Sequence, residues 1–168
     1  MSTNKTTVDE KKAALLAGLR QVRAEILAAS RQLHPGEETI TFLGTWALLD
    51  LLAHLAGWDD ANRLAAQEVL AGKIPSFYNH HSKDWTDFNA LLVGEYRLNN
   101  LPDMLDVVER THRGLMDYLE KLPAKELFAD HGVRVRGYRV IISRLLEAEC
   151  KDETVHLGQI IGFLNTRR

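Results

Sequence analysis

Apolar positions along the chain recur at helical spacing over four long stretches. Leu15, Leu19, Val22 and Ile26 fall at i, i+4, i+7 and i+11, one stripe of a 3.6-residue period. Thr7-Val8-Asp9-Glu10 precedes them with the form of a capping box, so a first helix is predicted from Thr7 until His34-Pro35-Gly36 ends it. Thr39 to Phe42 reads as a short extended lead-in. A second helix is predicted from about Thr45, as N-cap, to Ala71, with Gly72 as the stop. On it Ala47, Leu51, His54, Trp58, Ala61 and Ala65 share one face, and Asp50 sits beside them. Lys73 to Ser82 reads as a long loop. Asp84 to Arg97 is predicted to be helical, the first part of an interrupted third helix. Asn99 and Asn100 break the pattern, and Pro102 suits the first turn of the next segment. Met104, Leu105, Val108, Leu115, Tyr118, Leu119 and Leu122 line that segment up to Pro123. Phe128 to Arg136 reads as a turn region with a short extended piece. The last helix is predicted from about Tyr138 to Leu164, with Ile141, Leu145, Ala148, Val155 and Phe163 as its buried stripe. Long helices, each with one apolar stripe, joined by modest loops predict an all-α fold, an antiparallel four-helix bundle in one domain over 1–168.

Composition narrows the function classes. The 168 residues are 45% apolar and 26% charged, ordinary globular usage, and the formal net charge is -2. Dispersed charge of both signs leaves no footprint for nucleic acid and no polybasic membrane patch. Arg134, Arg136 and Arg139 alternate with Val133, Val135 and Tyr138. They read as a solvated strand-like turn rather than a phosphate site, because no Gly-rich cradle accompanies them. Cys150 is the only cysteine, which excludes an intramolecular disulfide and a Cys-rich zinc site. No apolar run approaches a bilayer span, and MSTNKTTVDEKK has no signal-peptide core, so a cytoplasmic protein is predicted.

Polar residues interrupt the apolar stripes where burial would be costly. The face of the last helix that carries the apolar stripe also carries Glu149, Asp152, His156 and Gln159. Such groups must be paired, hydrogen-bonded or bound to a metal. Asp152 and His156 are one turn apart, and His54 from a facing helix could supply a third ligand. Two imidazoles and a carboxylate can hold Zn, Ni, Mn or Fe as divalent ions with open positions. The bland alternative is an ordinary intrahelical Asp152–His156 pair. Glu149 is a rival ligand, and Asp50 would orient the His54 ring or cap a solvated edge. His80 and His81 could reach over a bundle mouth or lie exposed in their loop. His112 is expected on the surface, and His34 and His131 in turns. Cys150 and Ser143 lack the context of activated nucleophiles. Trp46, Trp58 and Trp85 are expected in the core or as pocket walls.

The segment from Thr45 to Trp58, with Trp46, Asp50, His54 and Trp58 at four-residue spacing, resembles the W-x3-D-x3-H-x3-W signature of the DinB/YfiT-like superfamily. It looks nearest to the DinB-like and ClbS/DfsB-type branches. Asp152 to Ile160 is similar to that group's closing segment, and Asp87-Phe88-Asn89 to an element between the second and third helices. The resemblance implies an antiparallel four-helix bundle with an unusual helix order, often dimeric. It also implies a divalent-metal triad of one histidine from the second helix and two from the fourth. Carried onto this chain, the first ligand is His54 and the last His156, and Asp152 stands where the family has a histidine. Activities implied include transfer or isomerisation dependent on a low-molecular-weight thiol. For the ClbS type they include metal-free hydrolysis of a reactive electrophile in self-protection.

Three readings follow. The first is a metal-dependent transferase or hydrolase acting on a small electrophile, with His54, Asp152 and His156 as ligands and Glu149 or Asp50 as base or support. The second is a metal-free protective hydrolase or sequestering protein. The third is a non-catalytic bundle in which the polar cluster only sets helix register.

Overall fold

The computed structural model describes residues 6–167. Helices account for most of them: α1 (Val8–Ser30), α2 (Leu48–Leu70), α3 (Thr86–Tyr96), α4 (Leu101–Lys121), α5 (Ala124–Phe128) and α6 (Ile142–Asn165). Two 3-10 turns, Glu37–Thr39 and Ser76–His80, and a hairpin of β1 (Arg134–Val135) with β2 (Tyr138–Arg139) complete the regular elements. The fold is all-α with little strand. None of the described helices is long and apolar enough to cross a membrane.

Local chemistry sets most boundaries. Thr7 caps α1, its hydroxyl accepting from the Glu10 N–H while Glu10 accepts from the Thr7 N–H, the reciprocal arrangement expected of that tetrad. Asn100 caps α4 by accepting from the Asp103 N–H, with Pro102 in the first turn. Gly72, at φ +72°, ends α2. The start of α2 differs from expectation. Ala47, not Thr45, is the N-cap, and the Asp50 carboxylate accepts from the Ala47 N–H at 2.8 Å.

Packing explains the remaining differences. Helix α2 is the hub, lying against α3, α4 and α6, while α1 packs on α6. Enclosure on several sides buries every residue from 48 to 57 except Asp50, so α2 has no single stripe there. Gly57 permits the close approach of α3, since a Cβ there would stand 2.8 Å from the Leu92 side chain. The last helix starts at Ile142 instead of near Tyr138, because 135–138 turns back as a hairpin. Its buried face runs through Ile142, Leu146, Glu149, Glu153, His156, Ile160 and Phe163, with Val155 and Ala148 outside it. The helix is rotated by about one residue from the predicted stripe, a step of about 100°. That rotation turns two carboxylates and a histidine inward and leaves Asp152 at the edge.

Candidate metal centre

His54 lies mid-α2 and His156 lies on the facing α6, with residue exposures of 4% and 8%. Asp152, one turn before His156, is half exposed at the rim of the same pocket. One Asp152 oxygen, Oδ2, stands 3.4 Å from His54 Nε2 and 3.2 Å from His156 Nε2. The two rings face each other edge-on, 5.2 Å between centroids. One ligand atom from each of the three residues falls within 4.8 Å of the others. Ligands about 2.0–2.2 Å from a tetrahedral or octahedral ion stand about 3–3.6 Å apart. Two of the three separations fall in that range and the donors are of the right kind, so the set could in principle hold a divalent ion.

The surroundings orient these rings unequally. His156 Nδ1 donates to Gln159 Oε1 at 2.7 Å, which aims Nε2 at Asp152. His54 Nδ1 is buried with no hydrogen bond. Burial holds the His54 pKa down despite the neighbouring carboxylate. Burial also opposes the charge on His156, but its contacts with Asp152 and Gln159 outweigh this and raise its pKa. Burial would raise the Asp152 pKa, yet the two histidines hold it far below the usual carboxylate range.

A cavity of about 440 Å³ opens over the triad. All three tryptophans of the chain, Trp46, Trp58 and Trp85, line it together with Phe77 and Tyr78. Trp46 packs on the His54 ring at 5.1 Å, and Trp58 donates to Asn89 Oδ1 at 2.9 Å while meeting Trp85 edge-on. No lysine or arginine lines this cavity. Glu149 does, accepting from Asn62 Nδ2 at 3.0 Å. Burial, reinforced by the charges of Glu153 and Asp59, pushes its pKa well above the ordinary carboxylate range.

Behind Glu149 lies a cluster that sequence reasoning missed. Arg23 of α1 is 1% exposed and is gripped on both sides. Asp59 accepts from its Nη1 and Nη2 at 2.6 and 3.1 Å, and Glu153 from its Nη2 and Nε at 2.6 and 3.0 Å. Thr111 donates to Asp59 at 2.9 Å. Asp59, Glu149 and Glu153 could in principle group around an ion, but the Arg23 guanidinium already supplies the positive charge between two of them. The missed signal was present in α1: Arg23 stands four residues after Leu19 and three before Ile26, on the apolar stripe itself.

Other sequence-predicted residues fall as follows. Asp50 is outside the cavity, because its carboxylate caps α2 and accepts from Arg97 Nε at 2.7 Å. These contacts give Asp50 a structural role at the start of α2. His112, expected on the surface, is largely buried, with Nδ1 3.6 Å from Asp59. His81 packs on Trp85 of the cavity wall at 4.4 Å, while His80 stacks on Phe88 at 5.3 Å in a separate cleft. His131 meets the Glu126 carbonyl in a turn. Cys150 is half-buried, and burial together with Glu153 and Glu149 pushes its thiol pKa up, away from thiolate chemistry. No family model matches the chain, and no curated protein or solved structure matches it either.

Proposed function

We propose that the protein is a metal-dependent enzyme of the DinB/YfiT-like type that acts on a small electrophile, with His54, Asp152 and His156 as the metal ligands. One observation carries the reading: a carboxylate oxygen 3.2 and 3.4 Å from two imidazole nitrogens, at the end of an aromatic-walled cavity. The packing of α2 on α4 and of α1 on α6 supports the finer architecture, an antiparallel four-helix bundle in one domain. A divalent ion at the triad would supply Lewis acidity toward a water or low-molecular-weight thiol nucleophile. The protein's own groups do the rest. The tryptophans exclude bulk water and hold the apolar body of the substrate. Gln159 fixes the His156 ring through Nδ1. Glu149, held by Asn62 and with its pKa raised by burial, is placed to act as a general acid toward a leaving group.

Metal analysis of protein purified without a histidine tag tests this. Stoichiometric Zn, Ni, Mn or Fe that is lost in His54→Ala supports the site. No binding after reconstitution with each ion sinks it.

A metal-free protective hydrolase is the second reading. It is favoured by the contacts already present at the triad, where the two histidines stabilise the Asp152 carboxylate without an ion, and by the Glu149 carboxyl nearby, whose pKa burial raises. Activity that survives chelation and disappears in Asp152→Asn and Glu149→Gln would select it.

A further inference from the structure

The tryptophan-lined cavity has no cation of its own in its walls, yet three arginines stand on the hairpin nearby. Tyr78 forms part of the cavity wall and also part of a second cleft of about 330 Å³, which is lined further by His81, Arg136 and Arg139. The two spaces therefore adjoin across one side chain. A second link runs through the loop: Arg136 Nη2 donates to the carbonyls of His81 and Ser82 at 3.3 and 3.4 Å, and His81 packs on Trp85 of the cavity wall.

The charges on the hairpin are unequally satisfied. Arg134 is paired with Asp130 through both guanidinium nitrogens, at 2.7 and 2.8 Å. Arg139 reaches the same Asp130 only at 3.7 Å. Arg136 has carbonyl oxygens as its hydrogen-bond acceptors and no carboxylate among its ion pairs. Its backbone adds an independent observation. Arg136 and Gly137 occupy the two central positions of the hairpin turn at φ +49° and +83°, and Arg136 is the one non-glycine residue with positive φ among the described residues. Asparagine or glycine would take that position at lower cost. A strained residue whose charge lacks an acidic partner, aimed into a cleft beside a substrate-sized cavity, is the pattern of a binding group held against local preference.

We infer that the cleft lined by His81, Arg136 and Arg139 is an oxyanion subsite, which holds the anionic end of a substrate whose aromatic or apolar body lies among Trp46, Trp58 and Trp85. The substrate class is thus an amphiphilic organic anion, a carboxylate or sulfonate joined to an apolar body. This rests on reading the cavity as the substrate site, and it does not require the metal. A carboxylate or sulfonate presents coplanar oxygens to the guanidinium fork of Arg136, which gives direction as well as charge. The cavity walls hold no lysine or arginine among the described residues, so the hairpin supplies the guanidinium charge for that end.

Two fluorescent probes of nearly the same shape test this, 8-anilinonaphthalene-1-sulfonate and the uncharged N-phenyl-1-naphthylamine. Quenching of the intrinsic fluorescence reports cavity occupancy, because every tryptophan lines it. The sulfonate should bind roughly tenfold tighter than its neutral analogue, the effect of one charge-assisted contact. Arg136→Asn keeps the left-handed turn and should erase that advantage while leaving the neutral probe unchanged, and Arg136→Lys should retain most of it. An advantage that persists in Arg136→Asn, or a wild type that favours neither probe, overturns the subsite. Failure of both probes to quench overturns it along with the cavity's role. Loss of the advantage in Arg136→Asn, in a protein that takes up no metal, upholds the subsite and rejects only the metal reading.

Discussion

Arg23 shows how much of this site depends on one buried charge. Its guanidinium lies between Asp59 and Glu153, both fully buried, and no solvent screens the three. Removing one member of such a set leaves uncompensated charge in the interior, at a cost of about 3–5 kcal/mol. Arg23→Met should therefore lower unfolding free energy by that amount in urea titration. Adding Asp59→Asn and Glu153→Gln should recover part of the loss, because neutral side chains no longer need the counter-ion. Glu149 allows a test with a defined sign. Burial and the charges of Glu153 and Asp59 raise its pKa in the fold above that of the unfolded chain, about 4.3. A raised carboxyl pKa contributes stability at low pH and loses it as pH climbs from the unfolded value toward the folded one. Glu149→Gln mimics the protonated form and keeps the acceptor for Asn62. Its stability relative to wild type should rise as the pH climbs above about 4.3. A flat difference over that range would show that Glu149 is charged in the fold. Of these residues, periodicity could mark Glu149 as inward-facing, but not its state. That state depends on Glu153 and Asp59, brought beside it by the rotation of α6 and by α2.

At the scale of elements, the joint between α2 and α3 is the sensitive one. Asp50 accepts from the Ala47 N–H at the start of α2 and from Arg97 just past the end of α3, so it ties the two helices together. Asp50→Ala should cost about 1 kcal/mol, the typical value of a lost cap, with metal uptake unchanged. Loss of metal in that variant would return Asp50 to the site. Gly57 is the close-approach point, and a methyl group there meets Leu92 at 2.8 Å. Gly57→Ala should cost about 1–3 kcal/mol through overpacking and should shift Trp58 emission, since Trp58 follows it and packs on Phe88 of α3. The caps of α1 and α4 were readable, because Thr7–Glu10 and Asn100–Asp103 involve residues three apart. The start of α2 was not, because Thr45 is as good a capping residue as any until Trp46 pairs back with Leu43. The start of the last helix was set too early, at Tyr138, for a similar reason, since a hairpin occupies that stretch. Its turn depends on a left-handed arginine, a conformation that residue type does not announce.

For the molecule as a whole, a ligand that binds only the folded state must stabilise it by mass action. If the triad holds a metal, a hundredfold excess of ion over its dissociation constant adds about 2.7 kcal/mol. Tm should then rise on adding the preferred ion, and the rise should vanish in His54→Ala. A Tm indifferent to Zn, Ni, Mn and Fe in the wild type would favour the metal-free reading. The chain's helical periodicity determined its all-α class, most helix boundaries set by caps and breakers, and the candidacy of His54, Asp152 and His156. These follow from interactions within a turn or two of chain, where residue spacing is the geometry. Tertiary structure alone decided that one Asp152 oxygen meets both imidazoles and that Arg23, Asp59 and Glu153 form a buried ion cluster behind the pocket. Each of those depends on how far α6 is turned about its axis or on groups 36 to 130 residues apart meeting in space, and neither quantity is carried by local spacing.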